Sequence, residues 1–60
     1  MNPKAIKKLR KDLGMSQDAF AAHIGVSRKQ VNLWEKGKAI PSQLADKMLR
    51  EMKMIKDGGK

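Results

Sequence analysis

The sequence predicts an all-α fold, a compact domain of four or five helices. Apolar residues recur at every third or fourth position, and nowhere do apolar and polar residues alternate as they would in a half-buried strand. Residues that commonly cap helices stand before each apolar segment. Because 60 residues suffice for one domain only, we assign residues 1–56 to it and residues 57–60 to a flexible tail.

The first helix is predicted over residues 3–13. Asn2 can cap its start, and Pro3 suits the first helical position because the N–H that proline lacks has no partner there. Gly14 can end the helix, since it adopts a positive φ without a Cβ clash. The apolar residues on one face are Ile6, Leu9 and Leu13.

Two short helices follow, and they form the central pattern of the chain. Ser16 precedes the first and Ser27 the second, where Gln30 completes a capping-box pattern. Two helices joined by the turn residues Gly25-Val26-Ser27 are typical of a helix-turn-helix, which we place at residues 17–36.

The packing positions of this motif agree with one another. Ala21 lies where the two helices must cross, so a larger side chain there would push them apart. Gly25 permits the sharp turn between them. The remaining inward positions form an apolar wedge of Phe20, Ile24, Val26, Val31 and Trp34. We expect Trp34 to be a core residue rather than a platform on which a base stacks.

The fourth helix begins at Pro41 and Ser42, after a linker of residues 38–40. Its apolar residues form two partly separate stripes, 44/48/52/55 and 45/49. One small domain seldom needs both stripes for its own core, so we expect this helix to form a homodimer interface. The residues assigned to that interface are Met48, Met52 and Ile55.

The charge balance points to a polyanionic partner. The chain carries 14 Lys and Arg against 6 Asp and Glu, a formal net charge of +8. Such a surplus attracts nucleic acid or an anionic lipid surface. No segment approaches the roughly 20 apolar residues that a membrane span needs, and no apolar signal-peptide region follows Lys4. We therefore expect a cytoplasmic protein that does not enter a membrane.

The residues give no support to an enzyme. A domain of this size has little room for a substrate cavity, and the serines already have capping roles. With no Cys, disulfides and thiolate metal sites are excluded. His23 has no second ligand at a suitable spacing, so we expect it to be a solvated side chain. We expect no cofactor and no metal.

Several segments within residues 4–52 form one combined pattern: Gly14-Met15-Ser16-Gln17, Ile24-Gly25-Val26-Ser27, Val31, Trp34-Glu35-Lys36-Gly37 and Pro41-Ser42. This pattern resembles the DNA-binding domain of phage repressors, Cro proteins and Xre-type regulators. It implies a lambda-repressor-like domain that dimerises and binds operator sites in double-stranded DNA. Many members continue into a sensor or oligomerisation domain; here we expect no small-molecule sensing.

The resemblance also implies roles for individual residues. The third helix would lie in the major groove, where Arg and Lys match guanine and Asn matches adenine. The expected base-reading residues are Ser27, Arg28, Lys29, Asn32 and Leu33, the last through a thymine methyl group. The expected phosphate contacts are Gln17, Gln30, Lys36 and Lys38. Arg10 and Glu35 match a pair that links the first helix to the third as an ion pair.

These expectations combine into a dimeric repressor that occupies a promoter. Its operator would be an inverted repeat with half-sites about 10 bp apart. By analogy, such a small regulator suits a phage or another mobile element and its own operon. An antitoxin-type module that masks a partner protein stays open as the alternative. A basic membrane-surface peptide is a third reading, which the wedge and the helix caps disfavour.

Overall fold

The computed structural model describes residues 1–58, with side chains described for residues 1–56, and in this part of the chain it contains four helices and no strand. They are α1 (Pro3–Asp12), α2 (Gln17–Ile24), α3 (Arg28–Glu35) and α4 (Gln43–Gly58). The predicted all-α, four-helix fold is confirmed. Helix α4 continues two residues past the predicted domain end, and residues 59–60 of the predicted tail lie outside the described residues.

A side-chain oxygen caps the start of each helix. In every case the oxygen accepts a hydrogen bond from the backbone N–H three residues later, which otherwise has no partner inside the helix. The donor–acceptor distances are 2.7 Å at Asn2, 3.1 Å at Ser16, and 3.2 Å at both Ser27 and Ser42. These local bonds explain why the starts of α1, α2 and α3 agree with the sequence prediction. Helix α4 begins at Gln43, after the predicted Pro41 and Ser42, because Ser42 is its cap.

All four helices contribute to one apolar core. Phe20, Val31 and Leu49 are fully enclosed, and Trp34 is 2% exposed, so its predicted place in the core is confirmed. The other buried residues are Ile6, Leu9, Ala21, Ile24 and Ala45. Val26 is only half-buried and packs against the edge of this cluster. Among the described residues, no helix is long and apolar enough to span a bilayer.

The turn between α2 and α3 depends on Gly25. Its φ of 91° lies in the left-handed region, which glycine adopts without a Cβ penalty. There the N–H groups of Gly25 and Val26 both donate to the carbonyl oxygen of Ala21, at 2.8 and 2.9 Å. The chain then enters α3 directly, with the Ser27 cap fixing the start of that helix.

The outer face of α4 and the loop before it leave several apolar side chains in solvent. Ile40 is 88% exposed, Leu44 72%, Ile55 74% and Met54 70%. Met48 and Met52 instead are half-buried and pack against the core of the same chain. Of the three predicted interface residues, Ile55 alone is largely exposed, whereas Met48 and Met52 contribute part of their surface to the core.

Candidate nucleic-acid interface

The N-terminal end of α3 is the most open part of the motif. The side chains of Ser27, Arg28, Lys29 and Gln30 are exposed there. One turn further on, Asn32 and Leu33 are half-buried. The face opposite these residues carries Val31 and Trp34 into the core, so burial of that face holds the polar face outward.

Four predicted DNA-contacting residues meet around one surface depression of about 350 Å³. Its lining consists of Gln17 from the start of α2 together with Arg28, Lys29 and Asn32 from α3. The crossing of the two helices thus places an amide from α2 beside the polar face of α3. Two basic groups and two amides share this surface, a combination suited to anionic and hydrogen-bonding ligands.

Arg10 and Glu35 form the expected ion pair between α1 and α3. Arg10 Nε donates to Glu35 Oε2 at 2.6 Å, and Nη2 donates to Oε1 at 3.1 Å. A third donor, Nη1, bonds the Met15 carbonyl oxygen at 3.0 Å. The two side chains are only 13% and 6% exposed, which makes this the most enclosed ion pair described in the chain. It fixes the end of α3 against α1.

Opposing effects act on the Glu35 carboxyl. Burial raises its pKa, but hydrogen bonds from Arg10 and Gln17 and the positive charges of Arg10 and Lys7 outweigh burial, so the pKa falls below its ordinary value of 4.5. The same hydrogen bond raises the pKa of Arg10, although desolvation opposes it. Glu35 is therefore ionised at neutral pH and acts only as a hydrogen-bond acceptor.

Two further hydrogen bonds extend from this carboxylate towards the depression. Gln17 Nε2 donates to Glu35 Oε1 at 3.3 Å, and Asn32 Nδ2 donates to Gln17 Oε1 at 3.4 Å. Sequence reasoning missed this chain of bonds. Its residues are 18 and 15 positions apart, so no local spacing could have indicated it.

Arg28 also has an acidic neighbour that sequence reasoning missed. Its Nε lies 3.3 Å from Asp18 Oδ1, and both side chains are largely exposed, at 68% and 77%. An exposed pair of this kind is weak, so it can open without a large free-energy cost. The only feature of the sequence that could have indicated this neighbour is the position of Asp18 in the first turn of α2, where acidic residues are favoured.

The remaining predicted phosphate contacts lie at other places on the motif. Gln30 is exposed on the first turn of α3, and Lys36 and Lys38 are exposed beyond its last turn. With eight residues in the helix, the two ends are about 12 Å apart. Lys36 and Lys38 thus lie beyond the C-terminal end of α3, whereas Gln30 lies on the same turn as Arg28 and Lys29.

A family model described as helix-turn-helix, of the Xre and lambda-repressor type, matches residues 6–50. The chain belongs to this helix-turn-helix family. No curated protein and no solved structure gave a significant match. The match covers α1 from Ile6 onwards, all of α2 and α3 and the first half of α4, and it includes all the residues that line the depression.

Membership of the helix-turn-helix family makes this chain a DNA-binding domain of transcription regulators, a family that is not normally enzymatic. Helices α2 and α3 are the two helices of the motif. His23, on α2, is exposed. Within the described residues, no three His, Cys, Asp or Glu side chains come together as a metal site.

Proposed function

We propose that this helix-turn-helix domain is a sequence-specific transcriptional repressor that reads double-stranded DNA with α3 in the major groove. The observation that carries the proposal is the depression where Gln17 meets Arg28, Lys29 and Asn32. A docked major groove would bring base edges to the α3 side chains and a phosphate to the start of α2.

Each α3 side chain has a chemistry that suits a base edge. Arg28 and Lys29 offer donors to the O6 and N7 acceptors of guanine, and Asn32 offers a donor and an acceptor to adenine. The Ser27 oxygen accepts the capping bond through one lone pair, so its hydroxyl proton and its second lone pair are left for DNA. Leu33, half-buried at the edge of the surface, can contact a thymine methyl group.

Phosphate contacts would supply the affinity that does not depend on sequence. Gln17 gives one amide hydrogen to Glu35 and keeps the second for a phosphate. Gln30, Lys36 and Lys38 extend these contacts along α3. Each neutralised phosphate releases counterions, so the affinity must fall steeply as salt is raised.

The proposal includes a homodimer formed through α4. Leu44 and Ile55 project about 20° apart around the helix axis, with Met48 between them in sequence and about 40° from Leu44. The exposure of Leu44 and Ile55 supports contact with a second copy, while Met48 and Met52 would form its inner edge. A two-fold dimer matches an inverted repeat with half-sites about 10 bp apart, bound as a repressor or autorepressor.

Selection of bound sequences from a random duplex pool, at about 150 mM salt, tests sequence reading. The expected result is an enriched inverted repeat. In binding measurements on that site, Arg28→Ala or Lys29→Ala should cost about 1–3 kcal/mol at one base position. Lys36→Ala should instead weaken all sequences alike. No enrichment from the pool would contradict the proposal.

Sedimentation at micromolar concentration, with and without the selected site, tests the dimer. Ile55→Lys should give a monomer that occupies one half-site. Met54→Lys is the matched control, because Met54 is equally exposed but projects about 100° away from Ile55. A wild-type chain that stays monomeric on its DNA would refute the α4 interface.

The alternative function is an antitoxin-type module that masks a partner protein. The observation favouring it is that Leu44 and Met54, both exposed, lie about 80° apart on α4, so the apolar surface is wider than the proposed dimer stripe. If the wild-type chain is monomeric and selects no DNA sequence, this alternative becomes the better account.

A further inference from the structure

We infer that Glu35, which ends α3 and does not line the depression, sets which base Asn32 reads by fixing the orientation of two amides. The inference rests on the proposed function, and it adds a specificity-determining residue that touches no DNA. It follows from the chain of hydrogen bonds that runs from Glu35 through Gln17 to Asn32.

The first link fixes Gln17. An ionised carboxylate can only accept hydrogen bonds, and Arg10 already holds both oxygens of Glu35 in place. The Gln17 amide must therefore turn its NH₂ group towards Glu35, where Nε2 lies 3.3 Å from Oε1. Its carbonyl oxygen then faces the other way, towards α3.

The second link fixes Asn32. The Gln17 oxygen can only accept, so Asn32 must present its NH₂ group to it, with Nδ2 at 3.4 Å. This leaves Asn32 with its Oδ1 acceptor and one N–H for the groove. One acceptor beside one donor matches the N6 and N7 edge of adenine.

The reverse orientation would read a different base. If Asn32 gave its oxygen to Gln17 instead, both N–H donors would turn to the groove, and Oδ1 would face Gln17 with one lone pair left. Two N–H donors match the O6 and N7 acceptors of guanine and have no acceptor for the adenine amine. The charge on Glu35 thus selects adenine over guanine at one position.

Glu35→Gln is the direct test, because the glutamine side chain has the same size but carries N–H donors as well as an acceptor oxygen. The shortest bond, 2.6 Å from Arg10 Nε to Oε2, should hold the new amide oxygen at that place. The amide nitrogen then occupies the Oε1 place, where the bond from Arg10 Nη2 is lost, and it donates to Gln17, which reverses both amides.

We expect the DNA sequences selected by Glu35→Gln to differ from those selected by the wild type at one base position only. Adenine preference over guanine there should fall about tenfold, while the positions read by Arg28 and Lys29 stay within about twofold of wild type. Asp12→Asn is the matched control: it removes the same charge from an exposed carboxylate that pairs with Lys8 at 2.9 Å and Lys56 at 3.6 Å.

A second substitution separates this mechanism from a structural effect. In Gln17→Glu combined with Glu35→Gln, the new carboxylate at position 17 accepts from Gln at position 35 and from Asn32. The Asn32 orientation is then that of the wild type. Adenine preference should return, although overall affinity falls because a carboxylate now faces a phosphate.

The orientation of the amides can also be measured without DNA. In ¹H–¹⁵N spectra of the free protein, the side-chain amide signals of Gln17 and Asn32 should shift together in Glu35→Gln and stay in place in Asp12→Asn. The inference is overturned if the amide signals stay unchanged in Glu35→Gln or if the selected bases stay the same. It is also overturned if base preference falls equally at all positions of the site. A wild type that selects no sequence, with coupled amide signals still present, would instead overturn the proposed function.

Discussion

Replacing Arg10 by methionine, which has a similar length and no charge, should remove a large part of the stability of the domain. The Arg10 and Glu35 side chains are 13% and 6% exposed and are joined by bonds of 2.6 and 3.1 Å. The substitution leaves the Glu35 carboxylate enclosed without its cation. Losing one partner of a buried pair costs about 3–5 kcal/mol.

The size of the chain makes that loss severe. At about 0.05–0.15 kcal/mol per residue, 60 residues give a total stability of about 3–9 kcal/mol. Urea unfolding can be followed by the fluorescence of Trp34, the single tryptophan, which is 2% exposed in the native state. With an m-value of about 1 kcal/mol/M for a chain this small, the midpoint should fall by about 3 M or more.

Two further variants decide whether the reasoning holds. Lys8→Met removes the exposed pair with Asp12, in which Lys8 is 76% exposed, and should cost less than about 1 kcal/mol. Arg10→Met combined with Glu35→Leu removes both charges and should regain most of the lost stability. If Arg10→Met costs no more than Lys8→Met, enclosure of the Arg10–Glu35 pair does not make it important for stability.

Three other predictions concern acid, the turn and the acidic neighbour of Arg28. Because folding lowers the pKa of Glu35, its ionised carboxylate contributes its full stability above pH 4.5, and this contribution is lost as the pH falls towards the folded-state pKa. A plot of urea midpoint against pH should therefore be flatter for Glu35→Gln than for the wild type. Gly25→Ala should lower the free energy of unfolding, measured in urea, by about 1–2 kcal/mol because of the φ of 91° at this position. The added Cβ would meet no atom within 4 Å, so a much larger loss would mean that it clashes with a neighbour. Asp18→Asn frees Arg28 and should tighten binding to all duplexes in anisotropy titrations, whereas weaker binding would mean that Asp18 positions Arg28.

The helices were predictable because their start and stop signals are local. Ser16 and Gly25 bracket α2, and the structure places that helix at Gln17–Ile24 as expected. Asn2 and Ser27 act in the same way for α1 and α3. A cap and its N–H are three residues apart, so the sequence contains the whole interaction.

The arrangement of the surface depended on contacts between distant residues. Arg10 and Glu35 are 25 residues apart, and only the family resemblance suggested their pairing. Nothing suggested the bond from Asn32 to Gln17. Met52 lies at the edge of the 44/48/52/55 stripe that is next to the 45/49 stripe, and its partial burial depends on where α4 packs against the core, which helical periodicity does not specify.

Stability alone is a poor explanation for the Arg10–Glu35 pair. A well-packed apolar pair of similar volume is often as stable as a buried ion pair, or more stable. An apolar residue at position 35, however, could not accept the Gln17 N–H, and the orientation of Asn32 would no longer be set. The variant combining Arg10→Met and Glu35→Leu therefore separates the two roles. If it unfolds at nearly the wild-type urea concentration but no longer distinguishes adenine from guanine at one base position, the carboxylate serves specificity, and the arginine serves to keep that carboxylate charged and in place.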